Sequence, residues 1–186
     1  MSCPDRFYSA YRHGFVRVAA CTLHTTIADP AANAEAVLAT ARDCHADGVA
    51  LAVFPELTLS GYSIDDILMQ DTLVESVEDA VGTIVAASVD LLPVLVVGAP
   101  LRHRNRLYNT AVVIHRGTVL GVVPKSYLPT YREFYERRQM APGDDVRAEI
   151  GQALAAASLN RYPDREALGL RTALARYLGH GLTAER

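Results

Sequence analysis

The sequence predicts an α/β fold, a mixed sheet with helices packed on it, followed by a short helical tail. Three observations predict it. Apolar runs of strand length alternate with stretches whose apolar residues recur at helical spacing between residues 15 and 98. Two further strand-like runs, Tyr108 to His115 and Thr118 to Val123, meet at Arg116-Gly117, a hairpin signal that brings an antiparallel pair into the sheet. After Pro142-Gly143-Asp144 no strand-like run returns.

Phe15 to Cys21 (FVRVAAC) reads as the first strand. Asp29-Pro30 then offers an N-cap and a proline at the first helical position, and Ala34, Val37, Leu38 and Ala41 keep helical spacing until Gly48 stops the run. Val49 to Phe54 (VALAVF) is continuously apolar, which suits a strand buried on both faces, and it runs straight into Pro55-Glu56. Turn chemistry around Gly61 fills Leu57 to Asp66. A second amphipathic helix carries Leu73, Val77, Ala80, Val81 and Ile84 and ends before Pro93, and Val94 to Gly98 is another buried strand. Lys125 stands just beyond the hairpin. In the tail, Arg147 to Ser158 is Ala-rich and helical, and Asp164 caps a helix bearing Leu170, Leu174, Tyr177 and Leu178. The expected organisation is therefore a domain over residues 1–144 and a helical segment over 145–186.

Composition narrows the function classes. The 18 basic and 21 acidic residues give a net charge of −3 without any block of like charge, which argues against nucleic acid or an anionic membrane as partner. The longest apolar run, Leu91 to Leu101, contains two prolines and is too short to span a bilayer. Charged residues interrupt the first 20 positions, so no signal-peptide core is present there. Cys3, Cys21 and Cys44 are odd in number and never form C-x-x-C, the usage expected of a reduced, cytoplasmic protein. No metal or cofactor motif stands out.

Two residues are placed for chemistry. Glu56 follows a buried strand directly, and open α/β sheets hold ligands outside the carboxyl ends of such strands, where a carboxylate serves as general base. It serves equally well to cap the following turn or to pair with a surface arginine. Lys125 also follows a strand, where an ammonium stabilises an oxyanion or simply stays solvated.

Both lie in long, unusual strings, FPELTLSGY (Phe54 to Tyr62) and PKSYLPTYREFYERR (Pro124 to Arg138). Over about residues 7–144 these resemble the nitrilase, or carbon-nitrogen hydrolase, superfamily, and in particular the glutamine-hydrolysing domain of glutamine-dependent NAD synthetases. The resemblance implies an α-β-β-α sandwich, here incomplete, and a Glu-Lys-Cys triad with Glu56 as general base and Lys125 as stabiliser of the tetrahedral intermediate. It also implies Glu133 as a further ordering glutamate, Tyr62 and Tyr131 at the border of the pocket, and glutamine or a small amide as the molecule bound.

The triad needs a thiol, because a carboxylate alone is too weak a base to drive water onto an amide. In the family that cysteine ends a later strand, roughly in a hydrophobic-E-x-C-E-D context, and here no cysteine follows Cys44. Cys21 reads as core, Cys3 as part of the N-terminus, and Cys44 as a helix-face residue. The expectation is part of an enzyme without turnover of its own, with a non-catalytic binding or assembly module as the alternative. A sandwich lacking its second half would leave apolar sheet uncovered and favour self-association.

The tail string LNRYPDREALGLRTALARYLGHGLTAER is similar to the N-terminal part of histidinol-phosphate aminotransferases. That resemblance implies Tyr162 as a contact to a pyridoxal-phosphate phosphate group. A fragment of a pyridoxal-phosphate aminotransferase is thus the further alternative for the chain, but the tail has no lysine, so no Schiff base follows from it and no cofactor is expected.

Overall fold

The computed structural model describes residues 9–144 and 146, all within one compact unit, Met1–Val146. The tail helices, Tyr162 and Cys3 lie outside the described residues. Five strands form one sheet in the order β1 (Val18–Ala20), β2 (Leu51–Val53), β3 (Val94–His103), β4 (Arg106–His115), β5 (Thr118–Pro124). The first three strands are parallel and β3, β4 and β5 are antiparallel, so the sheet is mixed as the hairpin required. Helix α1 (Pro30–Ala46) connects β1 to β2, and α2 (Asp71–Ala87) connects β2 to β3.

Helix α1 starts as the sequence predicts: the Asp29 carboxylate accepts from the backbone N–H of Ala32 at 3.0 Å, and Pro30 opens the first turn. Its Ala34, Val37, Leu38 and Ala41, with Val77, Ala80 and Ile84 of α2, pack on Ala52, Leu95, Val97, Ala99, Val112 and Ile114 of the sheet. Both helices therefore cover the same sheet face. Asn33, 1% exposed, ties α1 to the loops: it accepts from Thr26 N at 2.7 Å and donates to Thr26 O at 2.8 Å and Leu59 O at 3.0 Å.

Three expectations change. The strands expected over residues 15–21 and 49–54 shrink to three residues each, because regular parallel pairing holds only where Val18, Ala19 and Ala20 face Leu51, Ala52 and Val53. The second of these is not buried on both faces: Ala52 is sealed under the helices, while Val53 on the opposite face is 41% exposed. The strand beginning at Val94 runs to His103, well past Gly98, because it pairs with β4 over nine residues through a second hairpin. That turn places Arg104 and Asn105 at φ +46° and +60°, the pair of left-handed positions that a two-residue hairpin demands, as Arg116 and Gly117 do at the turn that was expected.

The face away from the helices is apolar and open among the described residues, with Val18 at 62%, Val53 at 41% and Val123 at 59% exposure. A second cluster, formed by Leu57, Ile64, Leu68, Leu73, Val74, Leu107, Leu128 and Met140, lies under the loops beyond the strand ends. It is the floor on which the candidate site stands.

Candidate active site

Glu56 is aimed by the chain that leaves β2. Phe54 N–H still bonds Val96 O at 2.9 Å, and Leu59 N–H bonds Gly98 O at 3.1 Å, so the intervening Pro55-Glu56-Leu57 bridges over Gly98. A Cβ at Gly98 would stand 2.3 Å from Pro55 O and 2.5 Å from Leu57 N, which only glycine tolerates. Leu57 takes φ +48° and is 1% exposed, and its carbonyl accepts from Ser60 and Gly61 to close the turn.

Lys125 is aimed by the end of β5. Its N–H bonds Asn109 O at 2.8 Å, and its carbonyl accepts from Gly143 N at 2.9 Å. The side chain reaches back so that Nζ lies 2.5 Å from Glu56 Oε1 and 3.0 Å from Glu136 Oε1. Burial draws the Lys125 ammonium downward, but the hydrogen bonds to Glu56 and Glu136 outweigh it and hold the group above the usual lysine value. Tyr62 donates to the same Glu136 Oε1 at 2.6 Å, and Asn109 Nδ2 donates to Glu56 Oε1 at 2.5 Å. Burial first, and then Glu136, push the Tyr62 phenol well above its ordinary value, so it stays a donor.

The structure thus unites Glu56, Lys125 and Tyr62. Tyr131 stands beside them through Phe134, whose ring meets Tyr62 at 6.3 Å and Tyr131 at 5.7 Å in edge-on geometry. The glutamate bonded to Lys125 is Glu136, not Glu133. Glu133 is exposed and lines a neighbouring cavity of 90 Å³ with Tyr62, Phe134 and Gln139. The physical reason is the fold of YREFYERR: Glu136 N–H bonds Pro129 O at 3.1 Å, and a short 3-10 turn, Glu136–Arg138, turns that carboxylate inward to 5% exposure. Arg138 pairs with Asp66 at 2.9 Å, and Tyr135 bonds Asp65, which clasps this segment to the loop that follows Glu56.

Sequence reasoning missed Glu136 and Asn109. The resemblance pointed to Glu133, and nothing in the string itself distinguishes it from Glu136 three residues on. Asn109 left a fainter signal, an amide inside the apolar strand string YNTAVVI, where a buried polar group must find a partner.

An open cleft of 390 Å³ lies on the uncovered sheet face, lined among others by Val53, Pro55, Glu56, Asn109 and Lys125. Neither Cys21 nor Cys44 lines it. Cys44 is buried on the inner face of α1, and the Cys21 thiol is pushed up to about 11, by burial and then by Cys44, so it holds its proton at neutral pH. Among the described residues no group of three His, Cys, Asp or Glu is arranged to hold a metal ion, and no helix is long and apolar enough to cross a membrane.

Beyond this geometry, in which a carboxylate that follows β2 meets an ammonium that follows β5, the sequence matches the model of the carbon-nitrogen hydrolase family over residues 17–161. The chain belongs to the carbon-nitrogen hydrolase family. Glutamine-dependent NAD(+) synthetases are its relatives: that of Mycobacterium bovis is 78% identical over 144 residues, 77% of this chain and 21% of the relative. The Mycobacterium leprae protein is 73% identical over 145 residues, again 21% of its length. This carbon-nitrogen hydrolase chain therefore spans about a fifth of the curated relatives it matches. Among solved structures, a glutamine-dependent NAD(+) synthetase from Cytophaga hutchinsonii superposes with a TM-score of 0.64 at 24% identity, over 68% of this chain and 22% of that one. An amidase from Nesterenkonia sp. gives 0.61 at 25% identity, over 69% and 48%. The mixed sheet with two helices on one face is the nitrilase-like fold.

Proposed function

We propose that residues 1–144 are the N-terminal part of a glutamine-hydrolysing amidase domain of the NAD-synthetase type, with Glu56 as general base and Lys125 as stabiliser of the tetrahedral intermediate. The observation that carries this reading is the Lys125 ammonium held 2.5 Å from Glu56 and 3.0 Å from Glu136 at the mouth of the open cleft. In the complete reaction Glu56 takes the proton of a thiol, the thiolate attacks the amide carbon, and Lys125 faces the oxyanion. The C–N bond breaks as Glu56 returns the proton to the leaving ammonia, and water then hydrolyses the thioester.

Among the described residues no thiol lines this cleft. Cys21 and Cys44 sit away from it, and no cysteine follows Cys44. The chain by itself is therefore proposed not to turn over, and the missing nucleophile favours a half-site or binding module over a free-standing amidase. Tyr62 and Tyr131 border the pocket for glutamine or a similar small amide. Residues 145–186, with Tyr162, are proposed as a separate segment without pyridoxal-phosphate chemistry. The open apolar face favours self-association of a cytoplasmic protein, which sedimentation at increasing concentration would register as mass above the monomer.

The test is ammonia release from glutamine. The chain alone should give the same background as its Glu56→Gln variant. Co-expressed with the portion of the Mycobacterium bovis relative that follows the matched residues, it should give release that depends on Glu56 and Lys125. Equal release with Glu56→Gln in the assembled pair sinks the role of Glu56. Glu56-dependent release by the chain alone sinks the missing-nucleophile argument.

A further inference from the structure

We infer that Asn109 is a positioning residue for Glu56, committing carboxylate oxygen Oε1 to Lys125 so that Oε2 is the oxygen left open for proton transfer. The inference rests on the amidase reading of Glu56 and Lys125 and adds to it a device that fixes their mutual orientation.

Asn109 is 3% exposed, on β4, with its side-chain amide donating to Glu56 Oε1 at 2.5 Å. Lys125 Nζ donates to that same oxygen at 2.5 Å. The backbone of Asn109 holds the other partner, because its carbonyl accepts from Lys125 N–H at 2.8 Å. One buried residue thus touches the base through its side chain and the lysine through its main chain. The anchor is firm, since β4 is paired on both sides, with β3 at Pro100 and with β5 from Thr110 to Pro124 onward.

The physical need is specific. The Glu56 side chain is 41% exposed, and the two oxygens of a carboxylate are equivalent until something distinguishes them. Lysine alone distinguishes them poorly, because an ammonium on a flexible stem follows either oxygen. A neutral amide on a rigid strand donates to one oxygen only, and adds no charge to the pair. Its donor therefore selects the rotamer, and Lys125 joins the oxygen already selected.

The test uses the full chain and needs no turnover. The chain has one lysine and four asparagines, so lysine labelled with carbon-13 reports Lys125 alone, and nitrogen-15 asparagine labelling gives few side-chain amide signals. In the wild-type chain the Asn109 amide signals should lie displaced from those of a free side-chain amide, and that displacement should be lost in Glu56→Gln. The Lys125 titration should move to lower pH in Glu56→Gln and, by part of the same amount, in Asn109→Ala. Asn109 amide signals indifferent to Glu56→Gln overturn the inference, as does a folded Asn109→Ala chain whose Lys125 titrates like wild type. Should Asn109→Ala not fold, the amide signals of the wild-type and Glu56→Gln chains decide by themselves. A Lys125 titration that ignores Glu56→Gln removes the base and lysine pair itself, and with it the amidase reading; a response of Lys125 without one of Asn109 removes only the inference about Asn109.

Discussion

Gly98→Ala should unfold the site from beneath. The added methyl would stand 2.3 Å from Pro55 O, 2.5 Å from Leu57 N and 2.9 Å from Glu56 C, all backbone atoms of the segment that carries Glu56. Ordinary contacts between such atoms begin well beyond 3 Å, so that segment must rise by about 1 Å. Overpacking of this kind costs about 1–3 kcal/mol. The bonds Phe54 N to Val96 O and Leu59 N to Gly98 O flank the same bridge, and stretching them adds about 1 kcal/mol apiece. The expected loss is about 3–5 kcal/mol, which at a urea dependence of roughly 2 kcal/mol per molar lowers the unfolding midpoint by about 1.5–2.5 M. Gly82→Ala is the control: nothing lies within 4 Å of its Cβ position in α2, and alanine should there stabilise by about 0.5–1 kcal/mol. In a complete active site the same 1 Å displacement of Glu56 should cost about 100-fold in rate. An unfolding midpoint for Gly98→Ala within about 0.3 M of wild type would refute the close approach of the two segments.

Asn33→Ala removes three hydrogen bonds from a residue 1% exposed and should cost about 2–4 kcal/mol by urea unfolding. Lys125→Met leaves Glu136, 5% exposed, without its counter-charge and should cost about 3 kcal/mol. Lys125→Met combined with Glu136→Gln should recover part of that loss, and strict additivity in the double-mutant cycle would count against the pair. Stability should also fall in alkali. Cys21, Tyr62 and Lys125 all hold their protons more tightly in the folded chain than at their ordinary values of 9.0, 10.0 and 10.5, so the unfolded chain loses protons first as pH rises. Their contribution is intact below pH 9 and declines above it, and Tyr62→Phe should flatten the fall in melting temperature beyond pH 10.

Both helices were legible in the sequence because Asp29-Pro30 and the spacing of Leu73, Val77, Ala80 and Ile84 are local signals that packing then exploits. The hairpin at Arg116-Gly117 was legible for the same reason. The hairpin at Arg104-Asn105 was not, since arginine carries no preference for positive φ and only the pairing of β3 with β4 imposes it. Glu56 and Lys125 could be named from their strings, but the choice of Glu136 over Glu133 depends on a turn whose direction is set by contacts to Pro129, Asp65 and Asp66. Composition and spacing do not encode such contacts.

Leu57 answers two demands that few side chains meet together. Its backbone at φ +48° favours glycine, which would relax there by about 1 kcal/mol. Its side chain is sealed with Ile64, Leu68, Val74 and Leu128, and truncating it would cost about 2–5 kcal/mol. Valine or isoleucine would keep the burial only by placing a branched Cβ in the conformation that such residues avoid most. Mutational drift at this position is therefore confined to unbranched apolar side chains of similar volume, methionine foremost, and the direction of Glu56 is inherited from a neighbour with very few allowed identities.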